Sequence, residues 1–254
     1  MSGKEMIFAV LGGDLRQVQV AYGLAKSGYK VKLFGFETYA EEFNGIEACS
    51  DLNQTMQNIS CIILPLPYSV DGINLNAPYM KNPIKLNDIY SQIKTDMVVL
   101  GGKFNSYELN RRGIRTIDYF EREELQVLNA VPTAEGAIQI AMEERPFTIH
   151  GSRCLVVGFG RIGKVLASLL KGLNAEVTVT ARKYEDLAWI RAYGYKHALT
   201  ENIKDIVNEY DIVFNTVPAM VIGRNELMQA RKETLFIDLA SKPGGVTHQK
   251  GEAA

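Results

Sequence analysis

Residues 154–163 read Cys-Leu-Val-Val-Gly-Phe-Gly-Arg-Ile-Gly. An apolar run of strand character enters a turn with glycines at 158, 160 and 163, and a helical pattern follows. In a dinucleotide-binding turn the first glycine permits the bend, the second lets backbone N–H groups approach a pyrophosphate, and the third lets helix and strand pack closely. A glycine turn can be a mere connector, but this strand and helix predict a nicotinamide cofactor site.

The strand predicted next, residues 176–180, indicates which cofactor binds. An NAD enzyme usually has an acid at the tip of this strand to hold the ribose 2′-hydroxyl, whereas this chain has Thr180-Ala181-Arg182-Lys183. An acid would repel a 2′-phosphate, and a guanidinium can bind one with two hydrogen bonds. We therefore predict NADP, with Arg182 on the 2′-phosphate, Thr180 as a secondary hydrogen-bond donor and Lys183 as a further residue of the cofactor site. Alternatively, both cations are ordinary solvated residues at the start of a loop.

Two further strands of this half, near residues 210–217 and 234–239, run into polar turns that are expected to flank the nicotinamide. These polar residues can also be plain strand terminators. The predicted cofactor site then comprises Gly158, Phe159, Gly160, Arg161, Ile162, Gly163, Thr180, Arg182, Lys183, Asn215, Thr216, Val217, Pro218 and Ala240.

Composition narrows the class of protein. The 254 residues suffice for two domains, and a net charge of −1 without a basic stripe argues against nucleic acid. No apolar run approaches the ~20 residues that cross a bilayer, and no signal-like segment precedes the first strand, so we expect a cytoplasmic protein without membrane contact. The three cysteines are widely separated and read as reduced core thiols; the three histidines form no cluster, so we predict no metal site.

The two halves of the chain resemble each other. Gly12 aligns with Gly158, and at the same offset Val31 aligns with Val177. This repeat predicts an α/β fold of two doubly wound Rossmann-like domains with mainly parallel sheets and a cleft between them. We place a flavodoxin-like or Rossmann-like substrate domain at residues 1–128, an interdomain helix at 129–148 and the NADP domain at 149–254. The chain stops soon after the last predicted strand, so we expect that domain to be short at its C-terminus.

The first copy departs from the nucleotide pattern at its turn. Asp14 stands where the second copy has Gly160, and Gln17 stands where it has Gly163. A carboxylate would oppose a pyrophosphate, and Gln17 would obstruct close packing of helix and strand, so we expect no second nucleotide. Backbone N–H groups with one cation and one amide suit a small acidic substrate, which gives the predicted substrate contacts Gly12, Gly13, Arg16 and Gln17. Alternatively, Asp14 caps the helix and Arg16 pairs with an acid.

Other candidate contacts lie further along the chain. The irregular stretch through Pro83 is expected to be a functional loop, and Lys103 follows a strand as a possible anion contact. A helix is predicted to begin at Pro132 or Thr133, so its N-terminal dipole could make Thr133 and Glu135 substrate contacts. Solvation of Lys103 and simple first-turn capping by Thr133 are the alternatives.

Together these motifs resemble the dipicolinate synthase A-subunit family, the NADP-dependent part of the enzyme that makes dipicolinic acid for bacterial endospores. The resemblance covers the chain up to Gly245 and rests on residues 12–17, 64–67, 132–136, 158–163 and 238–245. It implies oxidation of a dihydro- or hydroxytetrahydro-dipicolinate, the flavoprotein-like dipicolinate synthase B-subunit for a partner, and the mother-cell cytoplasm of a sporulating bacterium. We also expect a homo-oligomer.

A dicarboxylate substrate assigns roles to the candidates. Arg16 and the Gly12–Gly13 amides would hold one carboxylate, and Lys103, Lys242 or the Thr133 helix start the other. Asp14 or Glu135 would accept the proton. The competing interpretations are an NADP enzyme of the shikimate or methylenetetrahydrofolate dehydrogenase type, and a regulatory protein that binds NADP without turnover.

Overall fold

The computed structural model describes residues 6–40, 42–241 and 244–247. The chain divides between Leu125 and Gln126 into two compact units. Each unit is built around its own parallel sheet with helices on its faces.

The first unit contains a six-stranded sheet in the order β3-β2-β1-β4-β5-β6, with every neighbouring pair parallel. Its central strand is apolar along its length because both faces of a parallel sheet are covered. The elements are β1 (Ile7–Leu11), α1 (Leu15–Lys26), β2 (Lys30–Phe34), β3 (Glu47–Cys49), α2 (Leu52–Thr55), β4 (Cys61–Ile63), α3 (Leu86–Gln92), β5 (Val98–Gly101), α4 (Tyr107–Arg111) and β6 (Arg115–Asp118).

The second unit contains a five-stranded parallel sheet in the order β11-β10-β7-β8-β9. Its buried clusters lie on both faces of the central strand, where Cys154 and Val156 point one way and Leu155 and Val157 the other. Helix α5 (Glu123–Glu144) begins just before the division between the units and continues into the second one. The elements that follow are β7 (Arg153–Val157), α6 (Arg161–Gly172), β8 (Glu176–Ala181), α7 (Tyr184–Ala192), β9 (Lys196–Leu199), α8 (Ile203–Ile206), β10 (Ile212–Asn215), α9 (Arg224–Gln229) and β11 (Leu235–Asp238).

In both sheets the first strand of the unit lies in the middle. The next strands along the chain are added on one side of it, and the later strands are added on the other side. This is the doubly wound order, in which ligands bind outside the carboxyl ends of the strands at the reversal point. The predicted fold class of two Rossmann-like α/β domains is confirmed. The two glycine turns, after β1 and after β7, both lie at such a point.

The prediction that a helix starts at Pro132 or Thr133 is wrong about where the helix begins. Helix α5 starts at Glu123, and Pro132 lies inside it. The acidic residues Glu123 and Glu124 lie in its first turn, where their negative charges interact favourably with the positive end of the helix dipole. The Thr133 hydroxyl donates to the carbonyl of Asn129, one turn back. Thr133 is therefore mid-helix, and the argument that a helix N-terminus there binds an anion no longer holds.

Helix α5 packs against the second sheet through small side chains. Ala134, Ala137 and Ala141 are almost completely buried and share a cluster with β7 and α6. Among the described residues, no helix is long and apolar enough to cross a membrane, and no group of histidine, cysteine and acidic side chains could hold a metal ion.

The three cysteines are free and buried. Burial raises the pKa of Cys61 to about 11 and that of Cys154 to about 12, and it also raises the pKa of Cys49. Because a thiol with a raised pKa is protonated at pH 8, we expect the native protein to react with a thiol reagent such as DTNB far more slowly than the unfolded chain does. Fast reaction of one thiol in the native protein would contradict this burial.

Candidate functional site

The turn after β7 begins with a glycine that no other residue can replace without strain. Gly158 has φ of +99°, and its N–H donates to the carbonyl of Thr180 at 3.0 Å. A Cβ at this position would stand 2.7 Å from the hydroxyl oxygen of Thr216. The bend is thus held by the neighbouring strands β8 and β10.

The third glycine of the turn is required by close packing. A Cβ on Gly163 would overlap the carbonyl oxygen of Gly158, so helix α6 can approach the end of β7 only without a side chain there. Gly160 caps α6 in an extended conformation and has no side chain to satisfy the first turn. The N–H groups of Gly160 and Ile162 donate to no acceptor in the part of the chain that the structure describes.

These features fit a dinucleotide. Open amides at the start of a twelve-residue helix provide donors and a positive dipole for a pyrophosphate, and Gly160 leaves space for its approach. Phe159 is buried beneath the ammonium of Lys164, which lies 5.1 Å from its ring centroid. Phe159 therefore supports the turn, and its side chain does not face solvent.

A cavity of 520 Å³ opens at the carboxyl ends of β8 and β9, a volume that suits part of a nucleotide. Arg182 is exposed at its wall and has no hydrogen bond or ion pair with any described residue. The ammonium of Lys183 lies 3.2 Å from the carboxylate of Glu185. The lining consists of Arg182, Tyr184, Leu199, Thr200, Glu201, Ile203, Val221 and Glu226.

The prediction that Thr180 donates to a phosphate is wrong. Its side chain is completely buried, and its hydroxyl lies 3.4 Å from the hydroxyl of Thr200. Along β8 every residue after the first is buried, because the strand lies inside the sheet. Polar and apolar residues alternate along this strand, and that pattern places Thr180 in solvent only if one face of the sheet is exposed to water. Here both faces of the sheet are covered at β8.

At the end of β10 the side chains face inward. Asn215 is completely buried, donates to the carbonyl of Val217 and to the carboxylate of Asp238, and accepts from the N–H of Val217. The Thr216 hydroxyl donates to the carbonyl of Val157 at 2.8 Å. The predicted direct contact of Asn215 with the nicotinamide is therefore wrong, and Thr216 has a structural partner. Val217 and Pro218 remain predicted contacts.

Asp238, which the sequence-based site omitted, joins the two strand ends. Its carboxylate accepts from the Asn215 amide and from the N–H groups of Ala240, Gly245 and Val246. Burial alone would raise the pKa of Asp238, but these hydrogen bonds outweigh burial and hold the pKa below its ordinary value. Ala240 thus has a main-chain role here, whereas the candidate Lys242 lies outside the described residues.

In the first unit the turn after β1 is closed by the chain itself. The N–H of Gly12 donates to the carbonyl of Phe34 at 2.8 Å, and that of Gly13 to the carbonyl of Asn76 at 2.7 Å. The prediction that these two amides hold a substrate carboxylate is therefore wrong. Leu75 and Asn76 lie so close to Gly12 that a Cβ there would approach both within 3 Å.

The Asp14 and Arg16 side chains pair with each other. The Nε and Nη2 of Arg16 contact both carboxylate oxygens at 2.8 to 3.1 Å, and Nη2 also donates to the carbonyl of Leu66 at 3.0 Å. The hydrogen bond from Arg16 lowers the pKa of Asp14, which makes this carboxylate a poor proton acceptor. Asp14 also caps α1 by accepting from the N–H of Arg16, as the alternative interpretation held.

The remaining candidates lie on separate elements, two in the first unit and two on α5. Gln17 is 5% exposed, and its Nε2 has no partner among the described residues. Lys103 has φ of +54°, and its ammonium lies 5.5 Å from the centroid of the Phe120 ring. Glu135 is exposed on α5 and Thr133 is half-buried there.

Tyr119 was not singled out from the sequence although it borders this turn. Its hydroxyl donates to the carbonyl of Leu64 at 2.9 Å, and burial raises its pKa to about 12. Neighbouring Asp118 accepts from the N–H groups of Lys103 and Phe104. Asp118 is the last residue of β6, and Tyr119 follows it directly. Because ligands bind at the carboxyl ends of parallel strands, this position was the sequence signal that could have identified both residues.

The two sheets and the open glycine turn define a two-domain α/β protein whose second domain binds a dinucleotide. Residues 7–120 match the model of the N-terminal domain of the dipicolinate synthase A-subunit, and residues 120–245 match that of the D-isomer specific 2-hydroxyacid dehydrogenase NAD-binding domain. The dipicolinate synthase A-subunit of Bacillus subtilis is 32% identical over 248 residues, which are 96% of this chain and 84% of the relative. The chain belongs to the dipicolinate synthase A-subunit family.

Solved structures agree with this assignment. The A-subunit of dipicolinate synthase from Bacillus halodurans has a TM-score of 0.84 at 29% identity, covering 95% of this chain and 84% of that one. The corresponding structure from Bacillus subtilis has a TM-score of 0.81 at 31% identity, covering 95% and 83%. Transhydrogenase from Sinorhizobium meliloti, at 14% identity and a TM-score of 0.63 over 94% and 80%, shares the fold alone. The chain is a dehydrogenase-type oxidoreductase that binds a pyridine nucleotide.

The glycine turn yields a paired prediction. Gly163→Ala should lower the free energy of unfolding by about 1–3 kcal/mol, because the added methyl group overlaps the Gly158 carbonyl and forces α6 away. Gly160→Ala is the matched control, since a Cβ there meets nothing within 4 Å. It should lower the melting temperature less than Gly163→Ala does, since alanine is only a poorer N-cap for α6, and it should weaken cofactor binding beside the open amides. Thermal unfolding and cofactor titration of both variants check this; equal melting temperatures would contradict it.

Proposed function

We propose that this chain oxidises dihydrodipicolinate, or its hydroxytetrahydro precursor, to dipicolinate with NADP. When bound, NADP supplies the hydride acceptor at C4 of its nicotinamide. Dihydrodipicolinate loses one hydride and one proton; the hydroxytetrahydro precursor must also lose water. Because the product ring is aromatic, the protein chiefly has to orient the donor carbon and neutralise two carboxylates.

The single observation that carries the proposal is the turn at Gly158–Gly163, with its open amides at the start of α6. Family membership supplies the substrate class. The family to which the chain belongs is named for dipicolinate synthesis, and its relative in Bacillus subtilis carries that name.

NADP is favoured over NAD by Arg182. This guanidinium is exposed at the cavity beyond β8 and is not neutralised by any described carboxylate, so it can bind a 2′-phosphate with two hydrogen bonds. Glu201 lines the same cavity and is the acid that would hold a free ribose 2′-hydroxyl if NAD were the cofactor. The absence of an acid directly after β8 supports the phosphate.

For the substrate we propose Arg16, Gln17 and Lys103 in the first unit, with Lys242 as a further contact. Arg16 and Lys103 carry the charge that a dicarboxylate requires. Glu135 is the remaining proton acceptor, because the hydrogen bond from Arg16 makes Asp14 a weak base. We further propose the dipicolinate synthase B-subunit for a partner, assembly into a homo-oligomer, and action in the cytoplasm of the mother cell during sporulation.

The direct test mixes the chain with NADP, freshly generated dihydrodipicolinate and a candidate B-subunit. We expect reduced-nicotinamide absorbance to grow in step with dipicolinate, and only when the chain is present. A sample without the partner protein shows whether that protein is needed. NADP binding without any turnover under all these conditions would contradict the proposed reaction and favour a regulatory role.

Cofactor choice gives a separate prediction. Arg182→Ala should weaken NADP binding about ten- to a hundredfold, the equivalent of about 1.5–3 kcal/mol for lost charge-assisted hydrogen bonds, while NAD binding stays the same. Lys196→Ala is the control, because Lys196 lies at the start of β9, away from the cavity at the end of that strand, and pairs with Glu176. Fluorescence titration with NADPH and NADH measures both. A wild-type protein that prefers NADH would instead indicate that Glu201 holds the ribose.

A further inference from the structure

The cation best placed to bind a carboxylate in the first unit is already bound to one. Arg16 presents Nε and Nη2 side by side to the two oxygens of Asp14, with contacts of 2.8 to 3.1 Å. This is the two-pronged geometry in which a guanidinium holds any free carboxylate. Asp14 therefore occupies the position on Arg16 that a ligand carboxylate would need.

The pair is accessible to a ligand. The Arg16 side chain is 61% exposed and that of Asp14 is 45% exposed, so solvent screens their attraction and the pair is weak. The guanidinium has a second anchor that does not depend on Asp14, the carbonyl of Leu66 at 3.0 Å. Arg16 can thus exchange one carboxylate for another while it stays attached to the loop after β4.

An unused donor at the same turn points independently to a ligand. Gln17 is only 5% exposed and lies beside Gly13, and its Nε2 has no hydrogen-bond partner among the described residues. A buried donor without an acceptor costs about 1–3 kcal/mol. An acceptor brought to this turn by a bound carboxylate would remove that cost.

We propose that Asp14 is an internal competitor, which occupies Arg16 until a carboxylate of a small dicarboxylate ligand displaces it. The proposal rests on the proposed function and deepens it, because it gives Arg16 the role of substrate clamp and Asp14 the role of its occupant at rest. No covalent step is involved. The exchange makes binding selective for ligands whose carboxylate is held better than that of Asp14.

The helix cap permits a clean test. Asp14 accepts from the N–H of Arg16 at 3.0 Å, and asparagine is an equally good capping residue. Asp14→Asn therefore removes the competing charge and keeps α1 capped. Asp51 provides a matched control, since it caps α2 through the N–H of Gln54 and forms no ion pair with any described residue.

The experiment is calorimetric titration of the 254-residue chain, saturated with NADP, with dipicolinate as a stable dicarboxylate. We expect Asp14→Asn to tighten binding about threefold to fivefold, the gain from about 0.7–1 kcal/mol of lost competition by an exposed pair. Arg16→Met should weaken binding more than about tenfold, because it removes the clamp itself. Asp51→Asn should bind as the wild type does.

The double variant separates exchange from general charge effects. In the Arg16→Met background, Asp14→Asn should have no effect, because the competitor has lost its target. Weaker binding by Asp14→Asn would overturn the proposal and make Asp14 a residue that positions Arg16. An equal gain with and without Arg16 would also overturn it, since the gain then comes from net charge alone.

A second ligand distinguishes this proposal from the proposed function. Glutarate has two carboxylates but no pyridine ring. If Asp14→Asn tightens glutarate through Arg16 while dipicolinate does not bind, the exchange stands and the proposed substrate falls. If dipicolinate binds equally well to the wild type, Asp14→Asn and Arg16→Met, the exchange falls and the proposed reaction is unaffected.

Discussion

The second unit depends on one close approach, between the carbonyl of Gly158 and the start of helix α6 at Gly163. Because no Cβ intervenes, α6 begins directly at the end of β7 and its first amides stay open. The neighbouring strands support this position: Thr180 accepts from Gly158, and the Thr216 hydroxyl holds the end of β10 to Val157. A pyrophosphate site follows from packing geometry before any charged side chain is considered.

The first unit repeats the same strand, turn and helix without repeating the site. Its glycines serve to let the segment around Leu75 and Asn76 lie on the turn, and the amides that a nucleotide would need are bonded to main-chain carbonyls. Gln17, which stands where the second unit has Gly163, is buried and packs its side chain against Gly13. The first turn instead presents the side chain of Arg16, paired with Asp14, and it is this difference at the turn on which the proposed division between a nucleotide unit and a substrate unit rests.

The sequence predicted the fold class because both signals it uses are local: continuous apolar runs that form buried strands, and glycines where backbone must approach backbone. It failed where partners are distant in sequence. The burial of Thr180 depends on β9, the inward turn of Asn215 depends on Asp238, and the closure of the first turn depends on Phe34 and Asn76. No spacing within one motif reveals these contacts.

Hydrogen–deuterium exchange with each ligand alone tests the central claim that the two units divide the work. NADP should slow amide exchange at residues 158–163 and around Arg182, and leave residues 12–17 unchanged. Dipicolinate should slow exchange at residues 12–17 and in the loop at 64–77, and leave the glycine turn of the second unit unchanged. Protection of residues 12–17 by NADP, or of residues 158–163 by dipicolinate alone, would contradict the account.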